Sequence, residues 1–152
     1  MEDSPEAARL TAYCGLYCAD CIPARGSLFS AARVLDAELE NCRFDEYAPV
    51  ASRRDPSFCQ YPAFSEVLQA IIRLERHLPC REGGCKEGCV IRACAKERGY
   101  SGCWECRERT ACPRLAPLLM FHPHLAGHLE LIREHGIAGW QRYWKGHYPW
   151  DR

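Results

Sequence analysis

The chain has 152 residues, the length of one domain, and its 20 basic and 20 acidic residues give a formal net charge of zero. The first ten residues are acidic and polar and contain no apolar run, which excludes a secretory signal peptide. The longest apolar run, residues 115–121, is interrupted by a proline and is far too short to cross a bilayer. We therefore predict a soluble, cytoplasmic protein that does not contact a membrane.

The first half of the chain predicts two helices separated by a long loop. Gly26 and Ser27 precede a helical stripe of apolar residues that ends near Glu40 and comprises Leu28, Ala32, Leu35 and Leu39. Three prolines and a charged turn predict irregular structure over 41–62, packed through Phe44, Tyr47, Phe58 and Tyr61. A second amphipathic helix follows Pro62 and stops at Pro79. Its predicted buried face comprises Phe64, Val67, Leu68, Ile71, Leu74 and Leu78.

The second half predicts a cysteine-rich segment followed by helices. A short helix is expected from Val90 to Arg98 and is closed by Gly99. Further helices are expected over 117–121, 124–135 and 137–145, separated by Pro123 and Gly136. No segment shows convincing β-strand alternation. We predict one mainly α domain over residues 1–152, with cysteine motifs at 13–22 and 80–113, a helical C-terminal part at 114–150, and a loop-rich metal knuckle.

The cysteines carry the strongest chemical signal in the chain. Seven of the twelve fall between Cys80 and Cys112, and three more lie near the N-terminus. In a reducing compartment, thiols at such spacings hold metal more often than they form disulfides. Two pairs have the Cys-x-x-Cys spacing that closes a tetrahedral zinc site. The predicted metal ligands are Cys14, Cys18, Cys21, Cys80, Cys85, Cys89, Cys94, Cys103, Cys106 and Cys112.

Sequence alone leaves open how these ligands divide between sites and which metal they hold. The preferred division draws one site from Cys80, Cys85, Cys89, Cys103 and Cys106. A second site would join Cys14, Cys18 and Cys21 to Cys94 or Cys112. Zinc is preferred, and a four-cysteine iron–sulfur cluster (4Fe-4S) is the alternative because it uses the same ligands. A thioredoxin-type redox pair is disfavoured because the chain shows no βαβ pattern.

Several other residues have side chains that could bind a ligand, but we prefer structural interpretations for them. Cys42 and Cys59 have no ligand spacing, and we expect both to be buried small apolar side chains. His124 and His128 lie one helical turn apart but lack the glutamate of a metalloprotease motif, and His128 falls beside an apolar stripe. Residues 80–114 carry eight basic and five acidic side chains. We interpret this excess mainly as neutralisation of thiolate–metal charge, and nucleic-acid binding through Arg92, Lys96, Arg107 and Arg109 as the less favoured alternative.

The motif from Tyr13 to Cys21, YCGLYCADC, resembles the opening motif of the prokaryotic domain-of-unknown-function family 3795. The segment from Cys89 to Gly99, the Cys103–Cys106 pair and Cys112-Pro113 resemble its central motif. The resemblance implies a cysteine-rich, zinc-binding module without an established activity. It also implies a set of shared cysteines: Cys14, Cys18, Cys21, Cys89, Cys94, Cys103, Cys106 and Cys112. Cys80 and Cys85 correspond to a more variable lead-in.

The sequence thus predicts a metal-binding protein whose Cys-ligated zinc is structural. A site filled by four thiolates has no open position to activate water, so no hydrolytic activity is predicted. The alternatives are an iron–sulfur redox or sensor protein and a zinc-stabilised module that binds a protein or a nucleic acid. No catalytic residue and no specific partner can be named from the sequence.

Overall fold

The computed structural model describes residues 5–143, 146 and 148. Its α-helices are α1 (Pro5–Leu10), α2 (Gly26–Asn41), α3 (Phe44–Ala51), α4 (Tyr61–Leu74), α5 (Val90–Glu97), α6 (Ala116–Phe121) and α7 (Leu125–Gly139). Short 3-10 turns lie between several of them, and the described residues contain no strand beyond one isolated bridge between Thr11 and Tyr17. The mainly α prediction is confirmed. Within the described residues, no helix combines the length and the apolar character needed to cross a membrane.

The chain divides into two compact units. Unit 1 contains the described residues up to 24 and from 76 onward, and unit 2 is Arg25–Glu75. All ten predicted metal ligands belong to unit 1, whereas Cys42 and Cys59 belong to unit 2. The prediction of a single domain over 1–152 stays a prediction, and residues 144–145, 147 and 149–150 of the predicted C-terminal part lie outside the described residues.

The core of unit 1 is built around Trp140, which is fully buried. The Trp140 ring lies edge-on to Tyr17, with ring centroids 6.2 Å apart, and 5.1 Å from the ring of His128. His128 is only 2 % exposed, so its assignment as a core histidine is confirmed. The other buried members of this core are Ala12, Leu16, Cys80, Ile91, Trp104, Leu115, Leu125, Leu129 and Ile132. Helix α7 therefore packs against segments from both ends of the sequence.

Two of the predicted helices have nearly the expected ends. Helix α2 begins at Gly26 and ends at Asn41, one residue after the predicted position, and Arg43 just beyond it adopts a left-handed conformation with φ of 52°. Helix α5 ends before Gly99, whose φ of 67° lets the Tyr100 N–H reach the Ala95 carbonyl at 2.8 Å. This left-handed turn satisfies a terminal carbonyl and is the geometry that favours glycine after a helix. Gly136 likewise interrupts α7, as predicted, with φ of 72°.

The prediction of irregular structure over 41–62 is wrong. Helix α3 and a 3-10 turn over Pro56–Gln60 occupy most of this segment. Pro49 lies inside α3, but an interior proline removes only one backbone hydrogen bond from such a short helix. The aromatic packing was predicted correctly: the Phe44 ring lies 5.1 Å from Tyr61 and 6.0 Å from Phe58. We infer that this aromatic contact stabilises the helix that the prolines appeared to exclude.

The predicted buried faces of α2 and α4 are largely wrong. In α2 the buried residues are Phe29 and Ala32, while Leu28 and Leu35 are more than 40 % exposed. In α4, Leu68 is the buried residue, and four of the six expected core residues are exposed: Phe64, Val67, Leu74 and, beyond the helix end, Leu78. Helix α4 carries apolar residues on more than one side, so a single buried stripe could not be read from its sequence.

Replacement of Thr11 by Val should destabilise unit 1 by about 1–2 kcal/mol, because it removes a buried pair of hydrogen bonds. The fully buried Thr11 hydroxyl donates to the Ala7 carbonyl at 2.7 Å and accepts from the Trp140 indole N–H at 3.2 Å. Urea unfolding followed by circular dichroism measures the loss. The matched control is Thr110→Val at an exposed position. Equal free energies of unfolding for the two variants would contradict the prediction.

Candidate metal centre

Four of the predicted ligands line one small cavity in unit 1, and we call them the central thiol cluster: Cys94, Cys103, Cys106 and Cys112. Cys94 is supplied by α5, and Cys103 begins a 3-10 turn that the Cys106 N–H closes by bonding the Cys103 carbonyl at 3.1 Å. The Cys112 carbonyl accepts from the Ala116 N–H at 3.2 Å, at the start of α6. Three separate segments therefore deliver four thiols to one cavity.

Arginine side chains surround the central thiol cluster. The Arg114 Nη1 lies 3.3 Å from the Cys94 sulfur, and the Arg98 Nη1 lies 3.8 Å from the Cys106 sulfur. Arg109 also lines the cavity and donates to the Cys106 carbonyl at 3.1 Å. Two of the eight basic residues counted over 80–114 are thus directed at sulfur atoms.

Burial strongly affects the ionisation of the Cys103 thiol. Burial, and to a lesser extent charge repulsion from Cys112 and Cys106, raises the pKa of Cys103 to about 12. At neutral pH this side chain therefore keeps its proton unless a cation displaces it.

A second group, which we call the N-terminal thiol cluster, comprises Cys14, Cys18, Cys21, Cys80 and Cys85. The Cys80 backbone N–H donates to the Cys18 sulfur at 3.4 Å, which links the two cysteine-containing segments directly. Burial first, and repulsion from Cys80, Cys85 and Cys21 in addition, raises the pKa of Cys18 to about 11. Burial also raises the pKa of Cys14, with smaller contributions from Cys80, Cys103 and Cys85.

The loop that carries Cys80 and Cys85 is held by Arg92 and by a close backbone approach. Arg92 donates to the Cys80 carbonyl at 3.1 Å and to the Gly84 carbonyl at 2.7 Å. A Cβ atom on Gly84 would lie 1.7 Å from the Leu78 carbonyl oxygen, so only glycine fits there. Arg92 is therefore engaged with backbone in this loop, which weighs against the nucleic-acid contact considered for it from the sequence.

The division of ligands between sites stays a prediction, because the described residues do not assemble a ligand set. The neighbours differ from the preferred division in two respects. Cys80 lies beside Cys18, and Cys94 and Cys112 line one cavity together with Cys103 and Cys106. Cys89, immediately before α5, interacts electrostatically with both Cys80 and Cys103.

The predicted burial of Cys42 and Cys59 is also wrong, because both thiols are exposed on unit 2. Cys42 follows the last residue of α2, and its sulfur contacts the Leu39 carbonyl at 3.5 Å. Cys59 lies in the exposed 3-10 turn before α4. Both residues lie at helix boundaries, in the segment 41–62 for which a packed loop was predicted.

The sulfur atoms do not form a coordination sphere as they stand. Among the described residues, no three Cys, His, Asp or Glu side chains are arranged so that they could hold a metal ion. What the described residues provide is a set of thiols around a shared cavity, with cationic side chains directed at two of the sulfurs. The donor set has the chemistry of a thiolate metal site, but the ligand geometry is not formed.

A clamp holds the two cysteine motifs together, and no sequence pattern indicated it. Arg81 donates to the Thr11 and Ser101 carbonyls, each at 2.8 Å, and its guanidinium lies 4.6 Å from the Tyr13 ring centroid. The Cys103 N–H donates to the Tyr13 carbonyl at 2.7 Å. Arg81 and Thr11 are 70 residues apart in the chain, a separation at which sequence periodicity carries no information.

No family model, no curated protein and no solved structure matches this chain. The resemblance to family 3795 therefore stays a prediction, and the chemistry of the cysteine clusters has to be argued from the chain itself.

Replacement of Gly102 by Ala should destabilise unit 1 by about 1–3 kcal/mol, because the added methyl group overpacks a buried site. A Cβ atom there would lie 2.1 Å from the Trp104 ring, and both residues are buried. Urea unfolding measures the effect. The control is Gly127→Ala in α7, where an added Cβ meets no atom within 4 Å and should stabilise the helix slightly. A Gly102→Ala protein as stable as the parent would contradict the prediction.

Proposed function

We propose that this protein is a metal-binding protein in which the two thiol clusters each hold a structural metal ion, with zinc as the preferred metal. The observation that carries the proposal is the convergence of Cys94, Cys103, Cys106 and Cys112 on one cavity. Four thiolates are the complete ligand set of a closed structural zinc site. No activity is assigned to the protein.

The charges around the central thiol cluster support the proposal. A zinc ion with four thiolates carries a net charge of about −2, since each ligand must lose its proton to bind. Arg98 and Arg114 lie against two of the sulfurs and would offset this charge. Outer-shell donors of this kind orient and stabilise metal ligands. Arginine side chains beside the sulfurs would add little stability to thiols that served only to fill the core.

The N-terminal thiol cluster supports a second ion with a less defined ligand set. Five cysteines are available for four positions, and Cys85 is exposed with φ of 67°, a strained conformation for a residue other than glycine. If Cys85 is the thiol that does not bind, the four ligands of this ion would be Cys14, Cys18, Cys21 and Cys80. Binding in either cluster requires the sulfurs to close on the ion, and a cysteine moves its sulfur between rotamers by rotation about one bond.

The same donor sets would accept iron in a four-cysteine cluster, so metal identity is the first property to measure. The resemblance to family 3795 favours zinc. Elemental analysis of anaerobically purified, untagged protein should give about two zinc ions per chain and no visible absorption. Stoichiometric iron with acid-labile sulfide and a brown solution would replace zinc by an iron–sulfur centre and would make redox chemistry the leading hypothesis.

Replacement of Cys103 by Ser should remove about one metal ion per chain and should lower the melting temperature of unit 1, because metal-binding free energy in such sites is folding free energy. Metal content by mass spectrometry and thermal unfolding are measured on the same preparation. Addition of a strong chelator should destabilise the parent protein in the same direction. The effect requires no activity assay.

Cys42→Ser and Cys59→Ser are the matched controls, since both thiols are exposed and belong to unit 2. They should leave the metal content and the melting temperature unchanged. A Cys103→Ser protein with the metal content and melting temperature of the parent would remove the central cluster from the proposal.

A further inference from the structure

Helix α4 has an apolar side that faces away from the core of unit 2. Leu68 is 4 % exposed and marks the side that packs inward. On the roughly opposite side lie Ala63, Val67, Ala70 and Leu74, and all four are exposed, with Val67 at 57 % and Leu74 at 44 %. A shallow groove on this side is lined in part by Val67, Ala70, Glu66 and Arg73. We call the four apolar residues the outer seam.

The outer seam has the spacing of a coiled-coil interface. Its residues are separated by four, three and four positions, which is the alternation of d and a positions in a heptad repeat. Glu66 and Arg73 each precede an a position and therefore flank the seam on one edge, at the g positions. Phe64, 45 % exposed, and Ile71 flank it on the other edge, at the e positions. A helix face that stays in contact with solvent does not require apolar residues at heptad spacing.

We propose that the outer seam of α4 pairs with the outer seam of a second copy of this chain, with the two helices antiparallel about a twofold axis. In antiparallel coiled coils an a residue faces a d residue of the other helix. Val67 then faces Ala70 of the second copy, and Ala63 faces Leu74 of the second copy. Each layer combines one large and one small side chain, which fills the interface evenly.

The charged residues on the flanks of the seam favour the same antiparallel arrangement. In an antiparallel pair the two g edges meet, so Glu66 lies beside Arg73 of the second copy, and the twofold axis repeats the contact. On the other edge Phe64 meets Ile71 of the second copy. A parallel pair would place Ala63 against Ala63 and Ala70 against Ala70, which leaves both layers underpacked, and would not bring Glu66 to Arg73. The surface is therefore self-complementary in one orientation.

The paired surface is small, because α4 has only 14 residues. Interfaces of this size form weak, concentration-dependent complexes. We expect the full chain to pass from monomer to dimer between micromolar and millimolar concentrations, as followed by sedimentation velocity. Because association stabilises the folded state by mass action, the unfolding temperature of unit 2 should rise with protein concentration over the same range.

The decisive experiment uses charge reversal on the full chain. Glu66→Arg and Arg73→Glu should each weaken self-association by about tenfold, because two attractive contacts become repulsive. The double variant Glu66→Arg/Arg73→Glu should restore the parent affinity. An equimolar mixture of the two single variants should form a heterodimer, since one carries two arginines and the other two glutamates at the flanks. The charge changes lie on exposed positions and should leave folding intact.

Glu38→Arg is the control, because it makes the same charge change at an exposed position of α2, away from the seam. It should not alter association. A chain that stays monomeric at millimolar concentration, or a dimer indifferent to both single reversals, would overturn the proposal. Metal content is independent of these variants, so failure here would leave the metal proposal untouched and the reverse also holds.

Discussion

The structure of unit 1 depends on the clamp between the N-terminal turn and the segment around Cys103. The Tyr13 carbonyl accepts from the Cys103 N–H, while Arg81 bonds the carbonyls of Thr11 and Ser101. Arg81 also lies over two aromatic rings, those of Tyr13 and Trp104. A guanidinium can satisfy carbonyls with its edge and aromatic rings with its face, which a lysine cannot do. The clamp therefore holds the N-terminal cysteine motif against the segment that carries Cys103.

Unit 1 places six cysteines in or beside its core. Cys80 is buried among larger apolar side chains, and Cys14, Cys18, Cys89, Cys103 and Cys112 are packed at the margin. A thiol buries much less apolar surface than the leucine or isoleucine that such positions usually hold. These six positions therefore gain less from burial than leucine or isoleucine would. Metal coordination is the usual means by which small cysteine-rich domains offset that deficit.

Sequence reasoning succeeded where local chemistry decides the outcome. The end of α5 follows from Gly99 just beyond the helix, and the kink of α7 follows from Gly136. It failed where contacts between residues far apart in the sequence decide which helix face is buried and which side chains become neighbours. The prolines in 41–62 suggested a loop, yet the contact of Phe44 with Tyr61 favours a helix. The type and spacing of the thiols predict metal ligands, but the placement of the loop with Cys80 relative to the N-terminal turn is made by Arg81 and Arg92, which carry no recognisable motif.

Helix α4 shows why one of these failures is informative. Six apolar residues at helical spacing were assigned to one buried face, although only Leu68 is buried in the helix. The pattern contained two interleaved repeats, an inward one around Leu68 and the outer seam with its heptad spacing. An apolar stripe that a unit of 51 residues leaves exposed is the reason for proposing a partner surface there. Under the two proposals, metal binding would stabilise unit 1 and association with a second chain would stabilise unit 2.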